Sequence, residues 1–137
     1  MLARHPNDVR LVFKEFPLDI HSTAELAAEA ALAAHAQGKF WPMHDKLYAN
    51  FRQISHENIF KWAQEIGLDL VRFTADLNSG KYKKAVEKDI TEGEQAGVAG
   101  TPTIFVNGKR FNGSLETDEF ERVLAQEMAP PAKLSRR

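Results

Sequence analysis

The amino-acid sequence predicts an α/β protein in which one strand is followed by about five helices, a β-hairpin and a C-terminal helix. Three observations indicate this order. Residues 9–16 are mostly β-branched or aromatic and stop at Pro17, which is typical of a strand. Apolar residues then recur at helical spacing as far as about residue 96. Finally, Asn107-Gly108 joins two short apolar runs, because these residues supply the positive φ angles of a type I′ turn.

Composition narrows the class of protein. The chain has 18 basic and 19 acidic residues, for a net charge of −1, and this balance disfavours nucleic acid as a partner. No apolar run approaches the roughly 20 residues of a membrane-spanning helix. The first residues also lack the apolar centre of a signal peptide. We therefore expect no membrane partner, and the sequence leaves the cellular compartment open.

Capping residues and spacing locate the helices. They are predicted over about 22–36, from residue 40, over 55–66, 69–78, 81–96 and 115–128. The predicted N-caps are Ser22 or Thr23 for the first helix, and Ser55 and Asp69 for two later helices. Gly93 lies on the buried face of its helix, which predicts a close approach by the backbone of another segment.

The predicted core includes an aromatic stripe and both tryptophans. The stripe follows one face of the second helix and comprises Phe40, His44, Leu47 and Phe51. Trp41 and Trp62 also fall within apolar helical patterns, so we expect them to pack in the core rather than to hold a cofactor.

The absence of cysteine excludes disulfides, thiolate metal sites and thiol nucleophiles. No histidine spacing typical of a metal site is present. His44 and Asp45 would suit a base and its orienting group, but the apolar face around His44 favours a packed histidine. We predict no catalytic residue, no metal and no cofactor for this chain.

Several motifs occur together in a specific order. They are Phe16-Pro17-Leu18 before an alanine-rich helix, Gly38-Lys39-Phe40-Trp41 with Met43-His44-Asp45, and Gly97-Val98-Ala99-Gly100-Thr101-Pro102-Thr103 before the hairpin. Over residues 1–128 this order resembles the DsbA-like thiol:disulfide oxidoreductases of the thioredoxin superfamily. The resemblance implies a thioredoxin-like fold whose helical insertion covers about residues 20–100. Residues 129–137 are predicted to be a disordered tail.

The resemblance also implies a substrate site. In this family a loop like Gly100-Thr101-Pro102, with a cis bond before the proline, contacts an extended peptide or protein substrate through its backbone. Family members usually work outside the cytoplasm.

One part of the family pattern is not found. Such proteins begin with a strand and a Cys-x-x-Cys at a helix N-terminus, and only then continue with a strand like residues 9–16. We therefore expect a truncated domain, incomplete at its N-terminus and without redox activity, because the thiolate is the group that attacks a disulfide.

The strand that is not found is central in the resembled sheet. Three arrangements would close the gap: direct parallel pairing of the two flanking strands, a homodimer in which a neighbouring chain completes the sheet, or a longer protein of which this is a fragment. We favour the homodimer.

Three functions follow from these observations. The first is a fragment or truncated form of a disulfide-exchange enzyme, and the second is a non-catalytic module that binds peptides or a partner through the same loop. A weaker alternative is a relative of glutathione-dependent isomerases or transferases.

Overall fold

The structure, a computed structural model, describes residues 2–116 and 118–130. Of the predicted tail, residues 131–137 lie outside the described part. The helices are α1 (Ala24–His35), α2 (Phe40–Ala49), α3 (His56–Glu65), α4 (Leu70–Asn78), α5 (Lys83–Gln95) and α6 (Asp118–Met128). A single 3₁₀ turn covers Phe51–Gln53, and the strands are β1 (Ile104–Val106) and β2 (Lys109–Phe111).

The predicted α/β class and the order of helices and hairpin are confirmed. Side-chain caps are present at two of the three predicted helix starts, whereas Thr23, the N-cap residue of α1, makes no capping hydrogen bond through its side chain. The Ser55 hydroxyl accepts a hydrogen bond from the Asn58 amide at 3.1 Å, and the Asp69 carboxylate accepts one from the Arg72 amide at 3.1 Å. Each cap satisfies a backbone N–H that has no partner inside its helix.

The predicted first strand is wrong. Residues 9–16 run without helix, turn or bend, but they belong to no strand. A strand requires a hydrogen-bonded neighbour, and within residues 2–116 and 118–130 β1 pairs with β2 alone. The direct parallel pairing considered above is therefore not observed.

The chain divides into two compact units. The helical unit comprises residues 14–100, and the hairpin unit comprises residues 1–13 with 101–137. The assignment of residues 1–128 to one domain, with an insertion over about 20–100, stays a prediction.

The core of the helical unit forms around α1. Five alanines of α1 are buried, four of them in this core, and because alanine adds little volume, neighbouring helices approach this helix closely. The core residues are Ala30, Ala31, Ala33, Ala34, Met43, Leu47, Ile59, Trp62, Ala63, Leu68, Phe73 and Leu77.

Two aromatic residues predicted to be buried are exposed. Trp41 is 43% exposed and Phe51 is 64% exposed. The buried face of α2 instead carries Met43 and Leu47, four residues apart. The prediction for Trp62 is confirmed, because only 6% of it is exposed.

The hairpin has the predicted register. Ile104 lies opposite Phe111, and Val106 lies opposite Lys109. Asn107 and Gly108 have φ angles of 47° and 79°, as a type I′ turn requires. The ring of Phe111 meets that of Phe120 edge to face, with 5.1 Å between the centroids, so the hairpin packs on α6.

In the helical unit, the segment just before Pro17 packs closely on α5. A Cβ atom added at Gly93 would lie 2.9 Å from Cε2 of Phe16, which is closer than two carbon atoms approach. A close approach at Gly93 is thereby confirmed, but the approaching group is an aromatic side chain and not the predicted backbone.

A buried carboxyl group lies beside this contact. Glu15 is 9% exposed, and its Oε1 has no hydrogen-bond partner in the part of the chain that the structure describes. The Glu15 backbone N–H donates to Oδ2 of Asp89 at 2.9 Å, and the Lys14 ammonium lies 3.5 Å from Oδ1 of Asp89. Burial, and then the charge of Asp89, raises the pKa of Glu15 to about 7.

Gly93→Ala is expected to lower the free energy of unfolding by about 1 kcal/mol, because overpacking costs about 1–3 kcal/mol and the gain in helix propensity is only about 1 kcal/mol. In a Phe16→Leu background the same change should be neutral or stabilising. Urea unfolding followed by circular dichroism measures both effects. An equal loss in the two backgrounds would contradict the contact with the ring.

Glu15→Gln is expected to remove a pH dependence of stability. The folded carboxyl has a pKa of about 7 against an ordinary 4.5, so the unfolded chain releases this proton first. The free energy of unfolding therefore falls as the pH rises between these values, by up to about 3 kcal/mol, and stays low at higher pH. The free energy of unfolding of Glu15→Gln minus that of the wild type should therefore increase as the pH rises over the same interval.

Denaturant titrations across this pH range measure the effect. Glu94→Gln, at an exposed position of α5, is the matched control and should follow the wild type. If the free energies of unfolding of the wild type and of Glu15→Gln differed by the same amount at every pH, Glu15 would have its ordinary pKa and the prediction would be wrong.

Candidate functional site

The predicted substrate loop lies immediately before β1. The Thr101–Pro102 peptide bond is cis, and both residues are exposed. Across residues 2–116 and 118–130, the Thr101 backbone N–H and C=O have no hydrogen-bond partner. Gly100 is partly buried and is the last residue of the helical unit. Thr101 and Pro102 belong to the hairpin unit.

A groove of about 350 Å³ crosses the hairpin unit. One wall is residues 8–11 and the other is β1 with Asn107, while Phe120, Leu124 and Met128 of α6 also line it. No residue of β2 lines the groove. It therefore follows the edge of β1 that faces away from β2.

Two side-chain contacts to Glu121 position the chain along this groove. Nε2 of His5 lies 3.2 Å from Oε2 of Glu121, and the Arg4 guanidinium lies 3.3 Å from Oε1 of the same carboxylate. Because Glu121 belongs to α6, these contacts hold residues 4–5 against α6 and direct residues 8–11 along the groove.

The carboxylate of Glu127, which lines the groove, is held in place by two hydrogen bonds. The Lys109 ammonium donates to Oε1 of Glu127 at 2.9 Å, and the Asn107 amide donates to Oε2 at 3.1 Å. The hydrogen bond from Lys109, and then that from Asn107, lowers the pKa of Glu127 below its ordinary value.

The wall formed by the N-terminal segment has open backbone groups. In the described part of the chain, the backbone N–H and C=O groups of Arg10, Leu11 and Val12 have no hydrogen-bond partner. Leu11 is 46% exposed and Val12 is 57% exposed. The sequence predicted an open sheet edge here, but not a groove with α6 at its base, because α6 reaches this place only through the tertiary fold.

His44 lies in a cluster of aromatic side chains on α2. Its ring centroid lies 5.1 Å from that of Trp41 and 4.4 Å from that of Tyr48. Nδ1 of His44 is 3.1 Å from Oδ1 of Asp45, whose side chain is 78% exposed. An aspartate so open to solvent orients a histidine weakly, so this geometry favours the packing interpretation.

Over residues 2–116 and 118–130, two features are absent. No group of three or more histidine, aspartate or glutamate side chains is arranged to hold a metal ion. Among the same residues, no helix has both the length and the apolar character needed to cross a bilayer.

The chain matches a known family over most of its length. The profile of the DSBA-like thioredoxin domain matches residues 1–125. A solved structure, described as a thioredoxin-like oxidoreductase from Silicibacter pomeroyi DSS-3, superposes with a TM-score of 0.73 at 26% identity. The match covers 92% of this chain and 72% of that one.

The curated relatives are much longer proteins. A Na(+)/H(+) antiporter, NhaA 3 of Salinispora tropica, is 41% identical over 106 residues, which are 77% of this chain and 16% of the antiporter. The antiporter NhaA of Herminiimonas arsenicoxydans is 36% identical over 122 residues, or 89% of this chain and 19% of that protein. The chain thus spans less than a fifth of these two relatives.

The profile match and the structural neighbour agree with the observed order of helices and hairpin, and together they show that this chain belongs to the DSBA-like thioredoxin domain family.

Proposed function

We propose that this chain supplies the peptide-contacting part of a DsbA-like thiol:disulfide oxidoreductase, with Gly100, Thr101 and Pro102 as the contact. The observation that carries the proposal is the open backbone of Thr101, which is exposed and has no hydrogen-bond partner in the described part of the chain. An extended peptide adds to such a position as a strand, because its own N–H and C=O groups complete the pairing.

The same proposal holds that these 137 residues do not exchange disulfides by themselves. Exchange begins with attack of a thiolate on a disulfide sulfur, and the sequence contains no cysteine. Serine and threonine hydroxyls do not form the mixed disulfide through which the reaction passes. A redox partner would have to bring both sulfur atoms of the reactive dithiol.

The second candidate is a non-catalytic module that binds peptides or a partner protein through the same loop. It is favoured by the combination of an open Thr101 backbone with a cysteine-free sequence. The glutathione-dependent alternative has weaker support, because the residues described here offer no counterpart to its reactive side chain. The long relatives are named as Na(+)/H(+) antiporters. We do not assign ion exchange to this chain, because it spans less than a fifth of the length of these two proteins.

This chain is expected to leave the rate of insulin reduction by dithiothreitol at its background value, because it has no thiol to relay electrons. The turbidity of precipitating insulin B chain measures the rate. A DsbA-family enzyme with an intact Cys-x-x-Cys is the positive control. Acceleration by this chain above background would refute the redox part of the proposal.

Peptide binding is expected at Thr101. We choose S-alkylated insulin B chain as the probe, because it is extended and cannot form a mixed disulfide. Titration into ¹⁵N-labelled protein should shift the amide signals of Thr101 and Thr103. Thr101→Pro removes the N–H donor and should weaken binding about fivefold, which corresponds to about 1 kcal/mol for one net hydrogen bond.

Thr101→Ala keeps the backbone donor and is the matched control, so its affinity should stay close to that of the wild type. Two outcomes would contradict the contact. One is a shift map that leaves residues 100–103 unchanged, and the other is an equal loss of affinity in both variants.

A further inference from the structure

We propose that Asn112 is a site of spontaneous covalent modification, where asparagine converts to aspartate and isoaspartate, and that Asn107 is protected from the same reaction. Both asparagines are followed by glycine, and both lie in the hairpin unit. Their surroundings differ, and this difference determines which of them reacts. The reaction involves residues other than the Thr101 loop, and it does not depend on the proposed function.

The reaction is an attack of a backbone nitrogen on the side chain that precedes it. The nitrogen of the glycine forms a bond to Cγ of the asparagine, and the bond from Cγ to the side-chain nitrogen breaks. Ammonia leaves and carries away the proton of the glycine N–H, so the product is a five-membered succinimide ring. Water then opens the ring at either carbonyl group, which gives aspartate or isoaspartate. Glycine favours the attack because it has no Cβ atom to shield its nitrogen.

Asn112 meets the requirements of this reaction. It follows β2, belongs to no helix or strand, and is exposed together with Gly113. Across residues 2–116 and 118–130, the side-chain amide of Asn112 and the backbone N–H of Gly113 have no hydrogen-bond partner. The side chain can therefore turn towards the nitrogen without breaking a hydrogen bond, and water can reach the ring that forms.

Asn107 has the same neighbour but is held in two ways. Its side-chain amide donates to Oε2 of Glu127 at 3.1 Å. Its backbone lies in the turn between Val106 and Lys109, which are paired across the hairpin. Closing the ring requires rotation of the asparagine side chain and backbone, so the hydrogen bond and the turn would both have to be released. Asn107 is also exposed, so exposure alone does not distinguish the two sites.

The packing of the hairpin requires a glycine after Asn112. A Cβ atom added at Gly113 would lie 2.6 Å from Cζ of Phe111 and 3.0 Å from Oε2 of Glu119. Two carbon atoms do not approach so closely, so a side chain here would displace the ring of Phe111 from its edge-to-face contact with Phe120. The contact between hairpin and α6 therefore keeps the Asn-Gly dipeptide in the chain.

The conversion changes the charge of the chain. A neutral amide becomes a carboxylate, so the net charge of −1 becomes more negative by one unit. The new charge arises close to the first turn of α6, which already carries Asp118, Glu119 and Glu121. In the isoaspartate form the main chain runs through the former side-chain carbonyl group. The free α-carboxyl group is then the substrate of isoaspartyl O-methyltransferases.

Peptide mapping compares the two sites in one sample. Trypsin gives peptide 89–109, in which Asn107 is the only asparagine, and peptide 111–122, in which Asn112 is the only one. After incubation of the folded protein at neutral pH, the mass change of deamidation should appear in peptide 111–122 at least about tenfold faster, because loss of a hydrogen bond to a carboxylate costs Asn107 about this factor. An isoaspartyl methyltransferase should label peptide 111–122. A sample digested without incubation gives the background.

Unfolding and one substitution test the cause of the difference. In concentrated guanidinium chloride the two sites should react at similar rates. Glu127→Ala removes the acceptor of the Asn107 amide and should raise the rate at Asn107 while leaving that at Asn112 unchanged. Circular dichroism confirms that the variant is folded. Equal rates at both sites in the folded wild type, or no reaction at Asn112, would overturn the proposal.

Isoelectric focusing follows the change of charge without digestion. Asn112→Gln keeps the amide but would have to close a larger ring, so it should not accumulate the acidic species that the wild type forms. Asn107→Gly is the matched control, because a type I′ turn also accepts Gly-Gly, and it should accumulate this species as the wild type does. Loss of the acidic species in Asn107→Gly instead of Asn112→Gln would show that Asn107 is the residue that reacts, contrary to the proposal.

Discussion

Each strand presents backbone N–H and C=O groups on two edges, and in this chain the hairpin satisfies only one edge of β1. In the described residues, β1 has no second strand partner, and Arg10 to Val12 have open backbone groups across a groove. Such groups are costly to bury without partners, at about 1–3 kcal/mol each. Arg10, Leu11 and Val12 are exposed, so their open backbone groups are accessible to water or to another molecule.

The helical unit has no comparable need. Its helices satisfy their backbone internally, two of them with side-chain caps, and its core is closed around the alanines of α1. The segment before Pro17 is joined to α5 by a ring against Gly93 and by the buried carboxyl of Glu15. The acidic pair Glu15 and Asp89 makes this junction sensitive to protonation, because one of its carboxyl groups lies out of water.

Most elements of the fold were predictable from local signals. The hairpin follows from Asn107-Gly108, and two helix starts follow from Ser55 and Asp69, because each of these residues acts on its own backbone neighbourhood. The first strand was not predictable in the same way. The β-branched run at residues 9–16 indicates a preference for a strand, but pairing depends on a partner elsewhere in space.

The errors in α2 have a different cause. Phe40, Met43 and Leu47 follow helical spacing, and so do Trp41, His44 and Tyr48. A ten-residue helix with two apolar stripes does not indicate which stripe faces the core. Packing against α1 selects Met43 and Leu47, and the aromatic rings on the other side contact one another.

Glu15 could have been noticed, because it shares the alternating positions of Val9, Leu11 and Phe13 in an otherwise apolar series.

Two kinds of chemistry, peptide recognition and disulfide exchange, make different demands on the residues of a DsbA-like protein. Recognition of an extended peptide uses backbone N–H and C=O groups, which almost any side chains can accompany. Disulfide exchange requires sulfur, and no other side chain forms the mixed-disulfide intermediate. A sequence can therefore keep the fold and an open loop such as Thr101-Pro102 without containing a reactive group. Membership of a fold family accordingly supports an argument about what this chain binds, while the absence of cysteine determines which reactions its own residues are unable to perform.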